Sequence, residues 1–342
     1  MRHAFDAAFD VPDGYLNTPA VGVPPAHVAD EVTEFVRRWS AGAQRPPEFD
    51  ALVESTRTSF GALVGVPAER VAVGAAVSPL VGMVAAGVPD GARVLAASGE
   101  FTSVTFPFAA HRHRGVTVRE VPVSALPDAV AGHDLVAVSV AQSADGALVE
   151  LDALREAAEA AGVPVLLDVT QAAGWRPLHL DWADWVVGAG YKWLLAPRGT
   201  AWLAVHPRAM ASTHPVGAGW YAGEDPWDSI YGLPLRLAGG ARRFDTSPAW
   251  LAFAGAAPAL SYVASLDLAA VRDHGVGLAN AVRARFGLPE AGGPIVSLRR
   301  EGAAEALAEA GVVASVRAGA ARLGFHIYNT ERDVDRVVAA LS

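Results

Sequence analysis

The 342 residues are 52% hydrophobic and 18% charged, a composition that folds and is long enough for a large domain plus a smaller one. A formal net charge of −9 with no basic run argues against nucleic-acid binding, and the short clusters His111-Arg112-His113-Arg114 and Arg242-Arg243 do not change that. The absence of cysteine excludes disulfides, thiolate metal sites and a cysteine nucleophile, and no metal site is expected.

The first 13 residues mix charges and lack an apolar core, so no secretory signal is expected. No apolar run approaches the ~20 residues of a membrane span without Pro, Gly or charge interrupting it. The expected location is the cytoplasm.

Residues 28–40 read as an amphipathic helix, with Val28, Val32, Phe35, Val36 and Trp39 near helical spacing. A second helix is predicted over 49–64, ending at Gly65. Short apolar runs then alternate with helical stretches. Strands are predicted at 70–75, 93–97, 116–121, 135–140, 163–169, 185–188 and 200–205. Helices are predicted at about 78–86, 103–113 and 151–161. Such alternation implies an α/β domain with a mainly parallel sheet sandwiched by helices. Ligands bind such sheets beyond the carboxyl ends of their strands. From 215 to 245 the chain is rich in Gly, Pro and Trp and reads as a long functional loop. Helices at about 248–266 and 268–286 follow. The tail from 293 reads as a small α+β unit: strands at 295–299, 312–316 and 322–327, a helix through Leu307, and a closing helix from Glu331. The predicted organisation is a large domain over 21–240, a small one over 241–342, and residues 1–20 packing as an N-terminal arm.

Two residues stand at strand ends. Asp168 closes the run Val165-Leu166-Leu167-Asp168 and reads equally as an active-edge carboxylate or as a helix N-cap. Lys192 follows the next apolar stretch, between Tyr191 and Trp193. A lysine so flanked is either a desolvated amine nucleophile or a stem snorkelling at a sheet edge. The pair is more specific than either alone. Pyridoxal phosphate needs an amine to bond its aldehyde and a carboxylate to keep its ring nitrogen protonated.

The stretches Asp168-Val169-Thr170-Gln171-Ala172-Ala173-Gly174-Trp175, Gly190-Tyr191-Lys192-Trp193-Leu194 and Pro197-Arg198-Gly199 resemble the class V aminotransferase family. So do Arg322-Leu323-Gly324-Phe325-His326-Ile327-Tyr328-Asn329-Thr330-Glu331 and the opening Tyr15-Leu16-Asn17. That family includes cysteine desulfurases, kynureninases and isopenicillin-N-epimerase-like proteins, and the resemblance covers almost the whole chain. It implies the fold-type I architecture of pyridoxal-phosphate enzymes, a homodimer and an amino-acid substrate.

Carried over residue by residue, the resemblance implies that Lys192 forms the Schiff base and Asp168 faces the pyridine nitrogen. Gln171 would hydrogen-bond the phenolic oxygen. Gln142 is either a second polar contact there or an ordinary loop amide. Phe101 would stack on the ring or serve as a core phenylalanine. Ala76 and Val77 would offer the phosphate a helix N-terminus. Val77 stands where the family commonly has Thr, and Ala189 where it often has Ser; Tyr191 would compensate as a phosphate ligand. Arg322 would bind the substrate α-carboxylate bidentately, or lie as a surface arginine, and Asn17 is a further substrate-binding candidate. Trp220, Thr246 and Ser247 would reach a neighbouring subunit's cofactor, or Trp220 would pack an interface without a chemical role.

The expected function is a homodimeric pyridoxal-phosphate enzyme acting on an amino acid through an external aldimine, with transamination favoured because it needs no further catalytic group. A C–S or C–C lyase or an epimerase of the same family is the alternative. A Rossmann oxidoreductase is disfavoured, since Val73-Gly74-Ala75-Ala76-Val77-Ser78 is not its glycine motif. A non-catalytic protein of the same fold is the remaining alternative.

Overall fold

A computed structural model describes residues 1–342. The chain opens with a hairpin, β1 (Arg2–Ala4) and β2 (Ala7–Phe9), then α1 (Ala26–Ser40) and α2 (Glu48–Val64). The central region runs β3 (Val71–Gly74), α3 (Val77–Gly87), β4 (Arg93–Ala97), α4 (Thr102–Ala109), β5 (Thr117–Val121), α5 (Leu126–Ala129), β6 (Leu135–Ser139), α6 (Leu151–Ala161), β7 (Val165–Asp168), β8 (Trp185–Ala189) and β9 (Ala201–Val205). The remainder is α7 (Trp250–Ala264), α8 (Leu268–Arg285), β10 (Ile295–Leu298), α9 (Ala303–Glu309), β11 (Ser315–Arg317), β12 (Ala320–Gly324) and α10 (Glu331–Leu341).

Seven strands form the large sheet in the order β3-β9-β8-β7-β6-β4-β5. Strands β5, β4, β6, β7 and β8 pair in parallel, and β9 is antiparallel to both β8 and β3. Six strands therefore point one way and β9 alone is reversed. Strands β6, β7, β8 and β9 are buried along their whole length, as a sheet covered on both faces requires. The expected mainly parallel sheet and small C-terminal α+β unit are both present. The small sheet is antiparallel, in the order β10-β12-β11. Helix α7 packs on α2 and α1, whereas α8 packs on β10 and α10, so by its packing α7 goes with the large unit. The expected division at 240/241 falls ahead of that helix.

Several local departures have plain causes. The hairpin β1–β2 was not predicted. Its strands are only three residues long, and its turn holds Phe5 and Asp6 at positive φ, where a signal such as Asn-Gly is absent. The helix expected over 103–113 ends at Ala109 and tightens into a 3₁₀ turn through Arg114, after Pro107 removes a backbone donor. The strand expected at 312–316 is shifted to β11. Val313 is instead engaged by the N-terminal segment: Leu16 donates to Val313 O at 2.9 Å, and Val313 donates to Gly14 O at 2.9 Å. No single helix is long and apolar enough to cross a membrane.

Candidate active site

The six co-directional strands decide where the chemistry gathers. Five of them deliver residues from their carboxyl ends to one cavity of about 180 Å³. After β3 come Ala75, Ala76, Val77 and Ser78; after β4, Phe101 and Ser103; at β6, Ser139 and Ser143; at β7, Asp168, Thr170 and Gln171; after β8, Tyr191 and Lys192. Arg198 lies at its rim. A larger hollow of about 790 Å³ opens between the N-terminal hairpin and the start of α10, and none of the expected site residues lines it.

Lys192 is buried, with Nζ 5.3 Å from the centre of the Phe101 ring and 5.6 Å from that of Tyr191. Burial pushes its pKa down to about 8, and the charges of Arg322, Arg317 and Arg198 act in the same direction. Asp168 is pushed the other way, up to about 6, chiefly by burial. Its Oδ1 accepts from Thr170 N at 2.7 Å, which lowers the value, while Glu100 raises it and Lys192 lowers it. A buried amine and a buried carboxylate with pKa values drawn toward neutrality at one cavity are a signature of acid–base chemistry. The loop carrying Lys192 is held from outside: Gly22 donates to Tyr191 O at 2.9 Å, and a Cβ at Gly22 would stand 2.0 Å from Lys192 O.

Helices α3 and α4 both begin at this cavity, and neither has a side-chain cap. Their first N–H groups and dipoles offer an anion site. Ser78, in the first turn of α3, supplies a hydroxyl beside Val77. Its position in a Val-Ser pair at a helix start was a usable signal that the sequence reading passed over.

Gln171 lines the cavity, but its amide is committed within the chain. Nε2 donates to Pro19 O at 3.0 Å and to Ser143 Oγ at 3.1 Å, and Oε1 accepts from Trp193 Nε1 at 2.7 Å. Gln142 does not line the cavity. Its Nε2 donates to Glu100 Oε2 at 2.9 Å and to Ser139 O at 3.2 Å, and its Oε1 is buried without a partner.

Arg322, on β12, is 1% exposed. Nη1 donates to Ser143 O and to Ser143 Oγ, the latter at 3.1 Å, and Nε donates to Ser315 Oγ at 3.2 Å. It has no acidic partner, and burial with the neighbouring Arg317 pushes its pKa down to about 10. The reading as a surface arginine is corrected by this burial. Asn17 pairs with Gly324 beside β12; its side chain makes no hydrogen bond within the chain, and its Oδ1 is buried.

Trp220, Thr246 and Ser247 do not line this chain's cavity. Trp220 Nε1 donates to Ser247 Oγ at 3.3 Å, and Thr246 N donates to Val73 O at 3.0 Å. Asp245 anchors that segment, with Oδ1 and Oδ2 2.9 and 2.6 Å from the two terminal nitrogens of Arg57. Glu100, Ser139, Ser143 and Arg198 were missed. Hydroxyls and charges scattered among different loops have no common spacing in sequence, and only the strand order brings them together. No group of three or more His, Asp or Glu side chains is placed to hold a metal ion.

The sequence profile of the family described as "Aminotransferase class-V" matches residues 14–289. The uncharacterized aminotransferase YcbU of Bacillus subtilis is 28% identical over 315 residues, covering 83% of this chain and 82% of that protein. Isopenicillin N epimerase of Streptomyces clavuligerus is 27% identical over 383 residues, covering 95% and 93%. Among solved structures, the cystine C-S lyase C-DES in complex with cysteine persulfide superposes with a TM-score of 0.85 at 19% identity, covering 97% of both chains. A mutant of C-DES with glycine covalently linked to its PLP cofactor superposes equally well, at 18% identity over 97% and 96%. These superpositions give the architecture as fold type I.

Proposed function

The chain belongs to the class V aminotransferase family, whose enzymes use pyridoxal phosphate, and we propose that it is a homodimeric transaminase of an amino acid with Lys192 as its cofactor-bearing amine. The observation that carries the reading is the opposition of Lys192 and Asp168 at one cavity, each with its pKa drawn toward neutrality.

The residues present fit the cofactor. Asp168 is a buried carboxylate without a salt-bridge partner, two uncapped helix starts open on the cavity, and a flat aromatic ring stands over the lysine. When bound, pyridoxal phosphate supplies an aldehyde carbon that captures amines and a ring that withdraws electrons. Lys192 would anchor it and, once a substrate amine takes its place, move the proton at the substrate Cα. Asp168 would hold a proton at the ring nitrogen. Ala76, Val77 and Ser78, with Tyr191, would hold the phosphate, and Phe101 would cover the ring. Arg322, cationic at neutral pH, would bind the α-carboxylate, with Asn17 beside β12 as a further contact.

Transamination is supported by what lines the cavity. Lys192 is its one amine and no histidine accompanies it. A reaction whose proton transfers a single base can complete suits this set. Epimerisation, named for two relatives, ordinarily calls on a second base.

The homodimer is supported by apolar side chains left uncovered in a single chain. Trp39, on the stripe of α1 expected to be buried, is 65% exposed, and Tyr231 and Leu233 in the long loop are 87% and 88% exposed. Thr246 and Ser247 would then serve the cofactor of the second subunit.

The experiment is a panel of amino acids, each with an acceptor keto acid, following both carbon skeletons. Transfer of the amino group to the acceptor is the expected result. Release of ammonia with pyruvate would make the chain a lyase, and appearance of the D-isomer an epimerase.

A further inference from the structure

The β4–α4 corner contains a buried carboxylate that the reading above does not use. Glu100 is 6% exposed and has no cationic partner. Four donors hold it instead. Oε1 accepts from Phe101 N at 2.7 Å and from Ser139 Oγ at 2.6 Å; Oε2 accepts from Ser139 N at 2.7 Å and from Gln142 Nε2 at 2.9 Å. Two of these donors are backbone N–H groups and a third is an amide NH₂, none of which accepts a proton from a carboxylic acid at that site. The arrangement is built for the anion.

We propose that Glu100 is a positioning residue of the active site: it pins the β4–α4 corner, and with it the Phe101 ring, to the end of β6, and it stands as a second fixed negative charge behind Asp168.

Two geometric facts carry this. Phe101 is at once the residue whose N–H Glu100 holds, the start of α4 and the ring 5.3 Å from Lys192 Nζ. A shift of the corner therefore moves the ring. Ser139, whose backbone and side chain both bind Glu100, is the direct register partner of Asp168 in the β6–β7 pair. Adjacent strands lie about 4.8 Å apart, so the two carboxylates flank one residue at the same sheet edge. The charged groups nearby are Lys192 and Arg198, from the loop after β8, and Arg317 and Arg322, from β11 and β12, with Arg322 bonded to Ser143 in the loop after β6. Asp168 thus meets a negative neighbour on its β6 side. Two carboxylates favour a proton at a ring nitrogen more than one does.

The inference rests on the cofactor reading, and its test separates the two. The wild-type chain is loaded with pyridoxal phosphate labelled with ¹⁵N in the ring, and its covalent attachment at Lys192 is established by borohydride reduction. Glu100→Gln removes the charge at constant shape and sets an N–H against a backbone N–H. Its ring-nitrogen resonance is expected to move toward that of neutral pyridine, and cofactor affinity to fall about tenfold. Glu100→Asp keeps the charge but shortens the reach, so its resonance is expected to stay with the wild type while affinity falls. A Glu100→Gln resonance identical to wild type overturns the proposal. If Glu100→Gln does not fold, wild-type affinity in Glu100→Asp overturns it. A wild-type chain that attaches no cofactor overturns both readings.

Discussion

Trp193 donates its indole N–H to Gln171 Oε1 at 2.7 Å, so the residue next to Lys192 locks the amide expected to face the cofactor. The other end of that amide holds Ser143, and Ser143 holds Arg322. Gln171 thereby links the lysine loop to the arginine on the small sheet. Gln171→Ala should raise KM for an amino acid by loosening Arg322, while leaving the visible absorbance of the bound cofactor near that of wild type. Steady-state kinetics beside absorbance spectra will show it. A large spectral change with unaltered KM would return Gln171 to direct contact with the phenolic oxygen.

Lys192 should carry the cofactor. Its amine attacks only when unprotonated, and burial brings its pKa to about 8. Capture of pyridoxal phosphate by the apo chain should therefore accelerate as pH rises through 8. Borohydride should fix the label on Lys192, and Lys192→Ala should bind the cofactor only reversibly and without turnover. Peptide mapping that finds the label on another residue would refute the assignment.

Asp168 should cost the apo chain stability at neutral pH. Its folded-state pKa of about 6 lies above the ordinary 3.8, so the folded chain binds the proton more tightly. Stability from this group is full below pH 3.8, falls as pH rises, and is lost above about 6. Asp168→Asn should then stabilise the apo chain at pH 7 by on the order of 1–3 kcal/mol, with little effect at pH 4. The same variant should lose nearly all activity. Apo melting curves at the two pH values decide; a variant less stable than wild type at pH 7 contradicts the account.

Arg322→Ala should raise KM for an α-amino acid strongly, because a desolvated carboxylate would lose its charged partner, worth roughly 2–5 kcal/mol. Arg322→Lys should recover only part of it, since a point charge does not reproduce a planar fork. An unchanged KM would show that a different arginine, such as Arg198 or Arg317, takes the carboxylate.

No persulfide should form on this protein. A sulfur carrier must be a strong nucleophile near neutral pH, and the chain has no cysteine. Ser315, beside Arg322, bears a hydroxyl that stays protonated at pH 7. With cysteine as substrate, the co-product should be pyruvate with ammonia, or a keto acid with its sulfur intact. Stoichiometric alanine with protein-bound sulfur would contradict this.

The sequence by itself determined the sheet, because apolar runs of strand length alternating with helices admit few other packings. It also marked Lys192 and Asp168, since each terminates an apolar run where a polar side chain has reason to be. It could not supply the reversal of β9, because direction in a sheet is set by which neighbour a strand pairs with, not by its residues. Nor could it decide whether Gln142 joins Gln171 at the cavity. Both are polar residues just past strand ends, and only the packed loops show one lining the cavity and the other binding Glu100 behind it. Arg322 read as a carboxylate-binding residue with a surface arginine left open, because burial belongs to the docking of the small sheet on the large one. Glu100 was invisible for the same reason. A carboxylate beside an aromatic residue is ordinary in sequence, and three of its four donors come from the end of β6 and the loop after it, which meet Glu100 only when the strands take their places.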